Sequence, residues 1–409
     1  MPRSPLLDPR YLRLDDILRR PFAPNLPFGA SGATLSAAAT GADWGFPGGV
    51  RIADTEGLAP LPLAITADGV PVAAADAIYR PSYVSLNGVD AATGLQVTED
   101  KFVSGDDALV SVLSFRNSGD WSVDVEVSLK WGVRAGQFAA GGETLCVARD
   151  APRPEERRLQ LGEGRRHRMA FVLAAAPGEF AAKQTAWRWA GDANPAQTHA
   201  AQYQAWFDEN APRFDCPDPY LTKLWYYCLF LLRQNRGAIV APADRRWLAG
   251  DANLTKEGRD GGVWAELAAL PAGTRMAAIA RRAREQFAGG DFDAPFYAAL
   301  LRRPFALDAV VTGLLGLHAA DDDTLRLHPL MVADGADGWR HFCLENLRVR
   351  GHRLTIVWDD PAAPGDHYDD GDKGFTVYAG DAVIHRQADL SPCHVTLLTD
   401  RPFDDEDDE

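Results

Sequence analysis

One segment of the sequence constrains the fold more than any other, because its apolar and polar residues alternate strictly. Over residues 121–131 the apolar positions are Trp121, Val123, Val125, Val127, Leu129 and Trp131, and every residue between them is polar or charged. A period of two predicts a strand with one buried and one solvated face, which is typical of an antiparallel sheet. The turn residues 117–120 precede this strand, so we predict that Ala108–Arg116 is its hairpin partner.

Further strands are predicted around this segment, at Val70–Ala75, Leu95–Phe102 and His167–Ala175. Several strands joined by short polar turns favour a β-sandwich, which we place at residues 50–180. The preceding residues, 1–49, have only a weak pattern and are expected to be irregular.

After the predicted sandwich, the hydrophobic period changes from two to that of a helix. The predicted helices are Pro195–Asn210, Pro219–Asn235, Trp264–Leu270, Arg275–Phe287 and Phe305–Leu317. Asp218 is expected to cap the second of these, since Pro219 then occupies the first helical position. We assign residues 181–318 to this helical domain.

The pattern returns to alternation in residues 319–403, which predicts a small C-terminal β-domain. The acidic loop Asp359–Asp372 lies between two of its strands and is expected to be an exposed hairpin loop, because it lacks the spacing of a Ca²⁺-binding EF-hand. Residues 404–409 are all acidic and predict a disordered, solubilising tail. The expected fold class is therefore mixed β and α and multidomain.

Composition and motifs exclude several classes of function. The net charge of −15 opposes binding to nucleic acid, and no stretch has the length and apolarity of a membrane span. No P-loop, GxGxxG or GxSxG sequence is present, so we expect no cofactor. The histidines are scattered without an HxH or HxxxH pair, so we expect no metal site.

Cysteine usage and the first residues of the chain bear on its compartment. The five cysteines are odd in number and scattered, and their spacings match no CxxC or CxxxH metal pattern. Such a set predicts reduced, buried thiols and a cytoplasmic setting. Residues 1–20 lack the apolar stretch of a signal peptide, which agrees with that expectation.

Several strings, in a fixed order, resemble six-hairpin glycoside hydrolases of the mannosylglycerate hydrolase and processing α-glucosidase I type. The strings Tyr79–Val84 and Glu99–Asp107 resemble the sandwich of these enzymes, and Phe214–Tyr227 resembles the start of their helical barrel. Ala309–Leu330 resembles the last barrel helix, and Phe342–Asp359 resembles the closing β-domain. The resemblance implies an N-terminal antiparallel β-sandwich, an α/α barrel and a small C-terminal β-domain.

The helical domain is shorter than this resemblance requires. Six helical hairpins need roughly 200 residues at ordinary helix and loop lengths, whereas only residues 216–318 lie between the barrel's start and its end. We therefore expect a shortened, partial α/α barrel. The early hairpins, which would carry one catalytic carboxylate of the family, have no visible counterpart.

Glycoside hydrolysis uses two carboxylates that flank the scissile bond. The candidates in the helical domain are Asp260, Glu266 and Asp293, and Trp264 is the candidate for stacking on a sugar ring. The resemblance implies a glycoside hydrolase-family protein acting on α-linked glycosides, or one derived from such an enzyme. Two alternatives stay open: a non-catalytic carbohydrate-binding or assembly protein, and an incomplete gene product.

The expected partners are a carbohydrate ligand and a second copy of the chain, bound through the shortened helical domain. The reason for the second lies in the helix Pro219–Asn235, whose aromatic stripe would be covered by neighbouring hairpins in a complete barrel. We predict that this stripe packs against Phe305–Leu317, with Trp225 fully buried, or against another chain.

Overall fold

The computed structural model describes residues 7, 13–21, 35–37, 43–46, 50–52, 55–58, 61–129, 135–140, 143–234, 272–288, 307, 309–319, 324–332, 338–349, 351–368 and 373–397. The chain divides into two compact units. The N-terminal unit comprises residues 14–204 and 234–236, and the C-terminal unit comprises residues 1–13, 205–233 and 237–409. The fold is mixed, with helices and several antiparallel sheets. No helix in the described ranges combines the length and apolarity needed to cross a bilayer.

The N-terminal unit is mainly built from strands. They are β1 Arg20–Pro21, β2 Leu35–Ala37, β3 Gly45–Phe46, β4 Val50–Ile52, β5 Thr55–Leu58, β6 Leu61–Ala67, β7 Val70–Pro71, β8 Asp76–Tyr79, β9 Val84–Asp90, β10 Leu95–Val103, β11 Ala108–Asn117, β12 Val123–Leu129, β13 Gly136–Ala140, β14 Glu143–Asp150, β15 Arg158–Leu161 and β16 Arg166–Ala176. The predicted strands at 95–102 and 167–175 are confirmed as β10 and β16. The one predicted at 70–75 is reduced to β7.

Eight of these strands form one antiparallel sheet in the order β1-β8-β9-β10-β11-β16-β14-β13. Helix α2, Glu179–Gly191, follows the short helix α1, Leu14–Ile17, and covers one face of this sheet over β14 and β16. Trp189 of α2 is fully buried there and packs edge-on against Phe102 at 5.1 Å between ring centroids. Helix α2 was not predicted individually, because its buried residues (Ala182, Ala186 and Trp189) are few and mostly small, and because the large apolar residues Phe180 and Trp187 lie on its exposed face.

A second sheet has the order β15-β12-β6-β3, with β7 beside β6. Its strand β12 shows the predicted alternation of burial, with Val123, Val125 and Val127 buried. The predicted hairpin between β12 and Ala108–Arg116 is wrong. Strand β11 pairs with β10 and β16, whereas β12 pairs with β15 and β6.

The turn at 117–120 carries the chain from one sheet to the other. Asn117 explains this, because its side-chain amide donates to the backbone carbonyls of Trp121 and Leu161 at 2.6 and 2.8 Å. With both edges of β11 occupied, no backbone groups of that strand are left for β12 to pair with. Trp121, predicted to be on the buried face, is exposed.

A buried polar group joins β3 of the second sheet to β10 and β11 of the first. Both carboxylate oxygens of Glu99 accept hydrogen bonds from the Gly45 N–H, at 2.9 and 3.0 Å. Lys101 Nζ donates to the Asp43 carbonyl at 2.8 Å and lies 3.8 Å from Glu99 Oε2. Burial raises the pKa of Glu99 and lowers the pKa of Lys101, and each charge opposes the shift in the other. This cross-sheet pair leaves neither charge isolated in the interior.

The C-terminal unit contains residues 1–13 and resumes at residue 205, within helix α3. This helix spans Pro195–Asn210, and its bounds match the prediction. Helix α4, Pro219–Gln234, begins at the predicted cap, since Asp218 Oδ1 accepts from the N–H groups of Tyr220 and Leu221 at 2.9 and 3.1 Å. Helix α5 spans Ala272–Ala288 and contains the predicted helix Arg275–Phe287. A π-helical turn at Ala309–Leu314 lies within the predicted helix Phe305–Leu317.

The aromatic stripe of α4 is covered by α5 and by the segment before α4. Tyr227 packs edge-on against Phe287 of α5, and Trp225 is fully buried against Phe214. The π-helical turn packs on α5 as well. Burial of Trp225 is therefore confirmed within the single chain. Direct packing of α4 on residues 305–317, and pairing of two chains, stay predictions.

The remaining strands form the β-rich part of the C-terminal unit. They are β17 Arg213–Asp215, β18 His318–Ala319, β19 Thr324–Leu327, β20 His341–Val349, β21 His352–Asp359, β22 Gly374–Ala379, β23 Ala382–Gln387 and β24 Cys393–Thr396. One antiparallel sheet has the order β17-β20-β21-β22-β23, and a smaller one has the order β18-β19-β24. The edge strand β17 lies immediately before α4 in the sequence, so the first residue of α4 is close to the edge of the C-terminal sheet.

Candidate functional site

The residues proposed from the sequence as catalytic or sugar-binding lie outside the described part of the chain. They are Asp260, Glu266, Asp293 and Trp264. Their roles stay predictions. The described residues bring together a different set of chemically capable side chains, at one edge of the C-terminal sheet.

The first member of this cluster is Asp215, the last residue of the edge strand β17. Its place is fixed by the pairing of β17 with β20, in which Phe214 lies opposite Leu344 and Asp215 opposite Cys343. Fully buried Phe214 anchors the strand, and its N–H donates to the hydroxyl of Tyr226 at 3.2 Å. The Asp215 side chain itself is 29% exposed.

His341 and His367 complete the cluster from the same end of the sheet. His341 is the first residue of β20 and lies opposite Asp359, the last residue of β21. His367 lies in the loop that follows β21. Nε2 of His341 is 3.9 Å from Asp215 Oδ2, and Nε2 of His367 is 3.7 Å from the same oxygen.

The two imidazole rings stack on one another, with centroids 3.4 Å apart and planes inclined by 14°. Tyr368 is buried beside them and donates a hydrogen bond from its hydroxyl to Asp215 Oδ2 at 3.1 Å. Both rings lie roughly perpendicular to the Tyr368 ring. A carboxylate, two imidazoles and a phenol thus share one small volume.

Burial dominates the electrostatics of three of these groups, Asp215, His341 and Tyr368. It raises the pKa of Asp215, and the Tyr368 hydrogen bond and nearby His367 oppose the shift. Burial and the charge of His367 lower the pKa of His341 to about 4, so this ring is neutral at pH 7. The pKa of Tyr368 is raised well above its usual value by burial and by nearby Cys343 and Asp215. The phenol is therefore a fixed donor at neutral pH.

The loop that carries His367 is held by an acid that the sequence placed in an exposed loop. Asp359 is instead buried, with 1% exposure. Its Oδ2 accepts from the His367 N–H and its Oδ1 accepts from Lys373 Nζ, both at 2.8 Å. This buried carboxylate therefore ties both ends of the loop together and sets the position of His367. Asp360 and Asp366, by contrast, are at least partly exposed, in line with the prediction.

The cluster can act in two ways chemically. A carboxyl group with a raised pKa beside a neutral imidazole can exchange a proton, and the carboxylate with two imidazole nitrogens can ligate a metal ion. The donor atoms of Asp215, His341 and His367 all lie within 4.8 Å of one another. Spacing along the sequence could not find this set, because sheet pairing rather than a local motif assembles it. The available signal was that Asp215 is the second residue of the string Phe214–Tyr227 and that His341 immediately precedes the string Phe342–Asp359.

We compared the chain with protein-family models and with curated proteins, and neither comparison gave a match.

Proposed function

We propose that this chain is a glycoside hydrolase-family protein that acts on an α-linked glycoside, with its site in the helical domain assigned to residues 181–318. The proposal rests on the resemblance to six-hairpin glycosidases. An N-terminal β-sandwich, a partial α/α barrel and a closing β-domain are part of the same proposal.

One observation supports it most: the strings that carry the resemblance are neighbours in space. Phe214–Asp215, from the string at the start of the barrel, pairs with Cys343–Leu344, from the string of the closing β-domain. In the N-terminal unit, Val84 of one sandwich string pairs with Lys101 of the other. Chance similarity of short strings gives no reason for the matching pieces to pair with one another.

The sandwich strings also contain polar residues that a generic sheet does not need. Glu99 and Lys101, from the string Glu99–Asp107, form the buried group between the two sheets together with Ser111, which lies outside the strings and whose Oγ donates to Glu99 at 2.5 Å. Ser85 Oγ likewise donates to Asp100 at 2.6 Å. Burying a polar group lowers the stability of a fold unless the group forms a hydrogen bond. The paired polar residues at these positions therefore indicate a specific packing of the sandwich, and not merely residues with a preference for strands.

The test is a hydrolysis screen over α-glucosides, α-mannosides and glucosylglycerate-like substrates, run beside a glycan-binding assay on the full chain. We expect turnover that is abolished in Glu266→Gln and retained in Glu163→Gln, an exposed control in the N-terminal unit. Binding without turnover would replace the proposal with the carbohydrate-binding alternative. Neither binding nor turnover on any of these glycans would overturn it.

A further inference from the structure

The structure points to a second site, independent of the glycoside proposal: we infer that Asp215, His341 and His367 bind a single divalent transition-metal ion of the Zn²⁺ class. Three donor atoms from three separate segments converge here, all within 4.8 Å of one another.

The distances fit an ion better than direct contacts. The two histidine nitrogens lie 3.9 and 3.7 Å from Asp215 Oδ2, which is beyond hydrogen-bonding distance. Ligands held at about 2.0–2.2 Å around one Zn²⁺ ion are themselves roughly 3–4 Å apart. The gap between the carboxylate and each imidazole is therefore close to the size that an ion requires.

Two of the three ligands, Asp215 and His367, are held by a neighbour that does not itself ligate. Tyr368 donates to Asp215, which orients the carboxylate. Asp359 accepts hydrogen bonds from the backbone N–H of His367 and from the Lys373 ammonium group, which fixes the backbone of the loop rather than the imidazole itself. Partners of this kind orient metal ligands and raise affinity. Their presence separates the cluster from side chains that meet by chance on a surface.

The donor set also selects the class of metal. Two imidazole nitrogens and one carboxylate suit Zn²⁺, Fe²⁺, Co²⁺ or Ni²⁺, whereas Mg²⁺ and Ca²⁺ prefer oxygen ligands throughout. Three protein ligands leave a coordination position open, as in sites where a water molecule completes the shell. The His367 side chain is 45% exposed, so an ion can reach the cluster from solvent.

Binding requires one change in the side chains. An imidazole binds a metal in the plane of its ring, and the two rings here are stacked with planes only 14° apart. Their lone pairs converge on one ion only after one ring tilts. His367 is the ring that tilts, because its side chain is 45% exposed whereas that of His341 is 19% exposed, and its backbone can stay held by Asp359 while the ring turns.

The experiment is titration of the metal-free full chain with Zn²⁺ alone, and separately with Co²⁺ alone, followed by calorimetry and by NMR of the histidine rings. We expect one ion per chain and shifted ring resonances for His341 and His367. Asp215→Asn and His367→Gln should each weaken Zn²⁺ binding at least about tenfold. His394→Gln, an exposed histidine on β24, is the matched control and should bind like the unmodified chain.

Thermal unfolding of each metal-free variant shows whether it still folds. If Asp215→Asn does not fold, His367→Gln still tests the inference. The His367 side chain is 45% exposed, so its replacement is expected to leave the fold intact. Failure of the folded wild-type chain to bind either ion at micromolar concentration would overturn the inference. So would binding that is equally tight in all variants, which would place the ion at other residues. Activity towards glycosides plays no part in this test, so the two proposals fail separately.

Discussion

The Tyr368 hydroxyl donates a 3.1 Å hydrogen bond to Asp215 Oδ2, although the two residues are 153 positions apart in the chain. The contact joins the loop after β21 to the edge strand β17 on the far side of β20. It belongs to an apolar surrounding in which Tyr368 packs with Cys343, Val357, Tyr378 and Leu7. A hydrogen bond in such apolar surroundings fixes the position of the loop relative to β17 and also contributes to stability.

Removing this hydroxyl should loosen the cluster without unfolding the unit. Tyr368→Phe keeps the buried ring and deletes one hydrogen bond, so the free energy of unfolding should fall by about 1 kcal/mol. The affinity for Zn²⁺ should fall by roughly 10–100-fold, because the carboxylate loses its orienting partner. Tyr378→Phe, in the same apolar cluster, is the matched control for calorimetry and urea unfolding. Equal Zn²⁺ affinity in the two variants would contradict the role given to Tyr368.

Trp225 is expected to be the largest single contributor to the packing of α4. It is fully buried, packs on Phe214 at 5.3 Å and donates from Nε1 to the Pro212 carbonyl at 3.1 Å. Trp225→Ala should therefore lower the free energy of unfolding by about 3–5 kcal/mol, as large-to-small core substitutions do. Trp187→Ala, at an exposed position of α2, should change it by less than about 0.5 kcal/mol. Similar urea midpoints for the two variants would refute this assignment.

The local features of the fold could be predicted from the sequence where one physical signal dominates. Strict alternation predicted β12, and the Asp218–Pro219 pair predicted the first residue of α4. The partner of β12 could not be predicted in this way. A turn sequence such as 117–120 is compatible with a hairpin or with a crossing between sheets, and the long-range bonds of Asn117 decide between them.

The cluster around Asp215 could not be predicted for a related reason. Its members come from β17, the start of β20 and a loop, and only the sheet order brings these together. The same holds for Asp359, which composition placed in an exposed acidic loop. The ammonium group of Lys373 offsets the cost of burying its charge, and that pairing is visible only in three dimensions.

The buried pair between the two sheets gives a third prediction. Lys101→Met removes the cation that favours the ionised form of Glu99, so this buried carboxyl must either stay charged without a partner or take up a proton. The free energy of unfolding should therefore fall by about 3–5 kcal/mol. Arg158→Met breaks the exposed pair with Glu126 and should cost less than about 1 kcal/mol. Urea unfolding of both variants tests the contrast. A Lys101→Met protein as stable as Arg158→Met would show that the pair does not bridge the sheets.

The pH dependence of stability should reveal the buried carboxyl of Asp15. Burial raises its pKa, against the opposing hydrogen bonds from Ser82, whose N–H donates to Oδ1 at 3.0 Å. The folded state then holds the proton more tightly than the unfolded state, whose pKa is about 3.9. The stability that protonated Asp15 contributes to the folded state is therefore fully present below about pH 4. It is lost as the pH rises through the pKa of Asp15 in the folded state.

Asp15→Asn should remove that dependence. The stability of the wild-type chain relative to the variant should fall as the pH rises from about 4 through the folded pKa of Asp15, as followed by urea unfolding at several pH values. Asp16→Asn, at the exposed neighbouring position, is the control for the loss of one charge. A relative stability that rises over this range would reverse the sign and contradict a raised pKa.

The assembly of Asp215, His341 and His367 into one metal site is the claim that rests most directly on this structure. It is tested most directly by anomalous X-ray scattering from crystals of the full chain grown with Zn²⁺. We predict a single strong peak within about 2.0–2.2 Å of Asp215 Oδ2 and of Nε2 of both histidines, with His367 tilted out of its stack. A Zn²⁺ peak bound elsewhere, or a cluster whose two rings stay stacked with no ion between the three donors, would contradict the account.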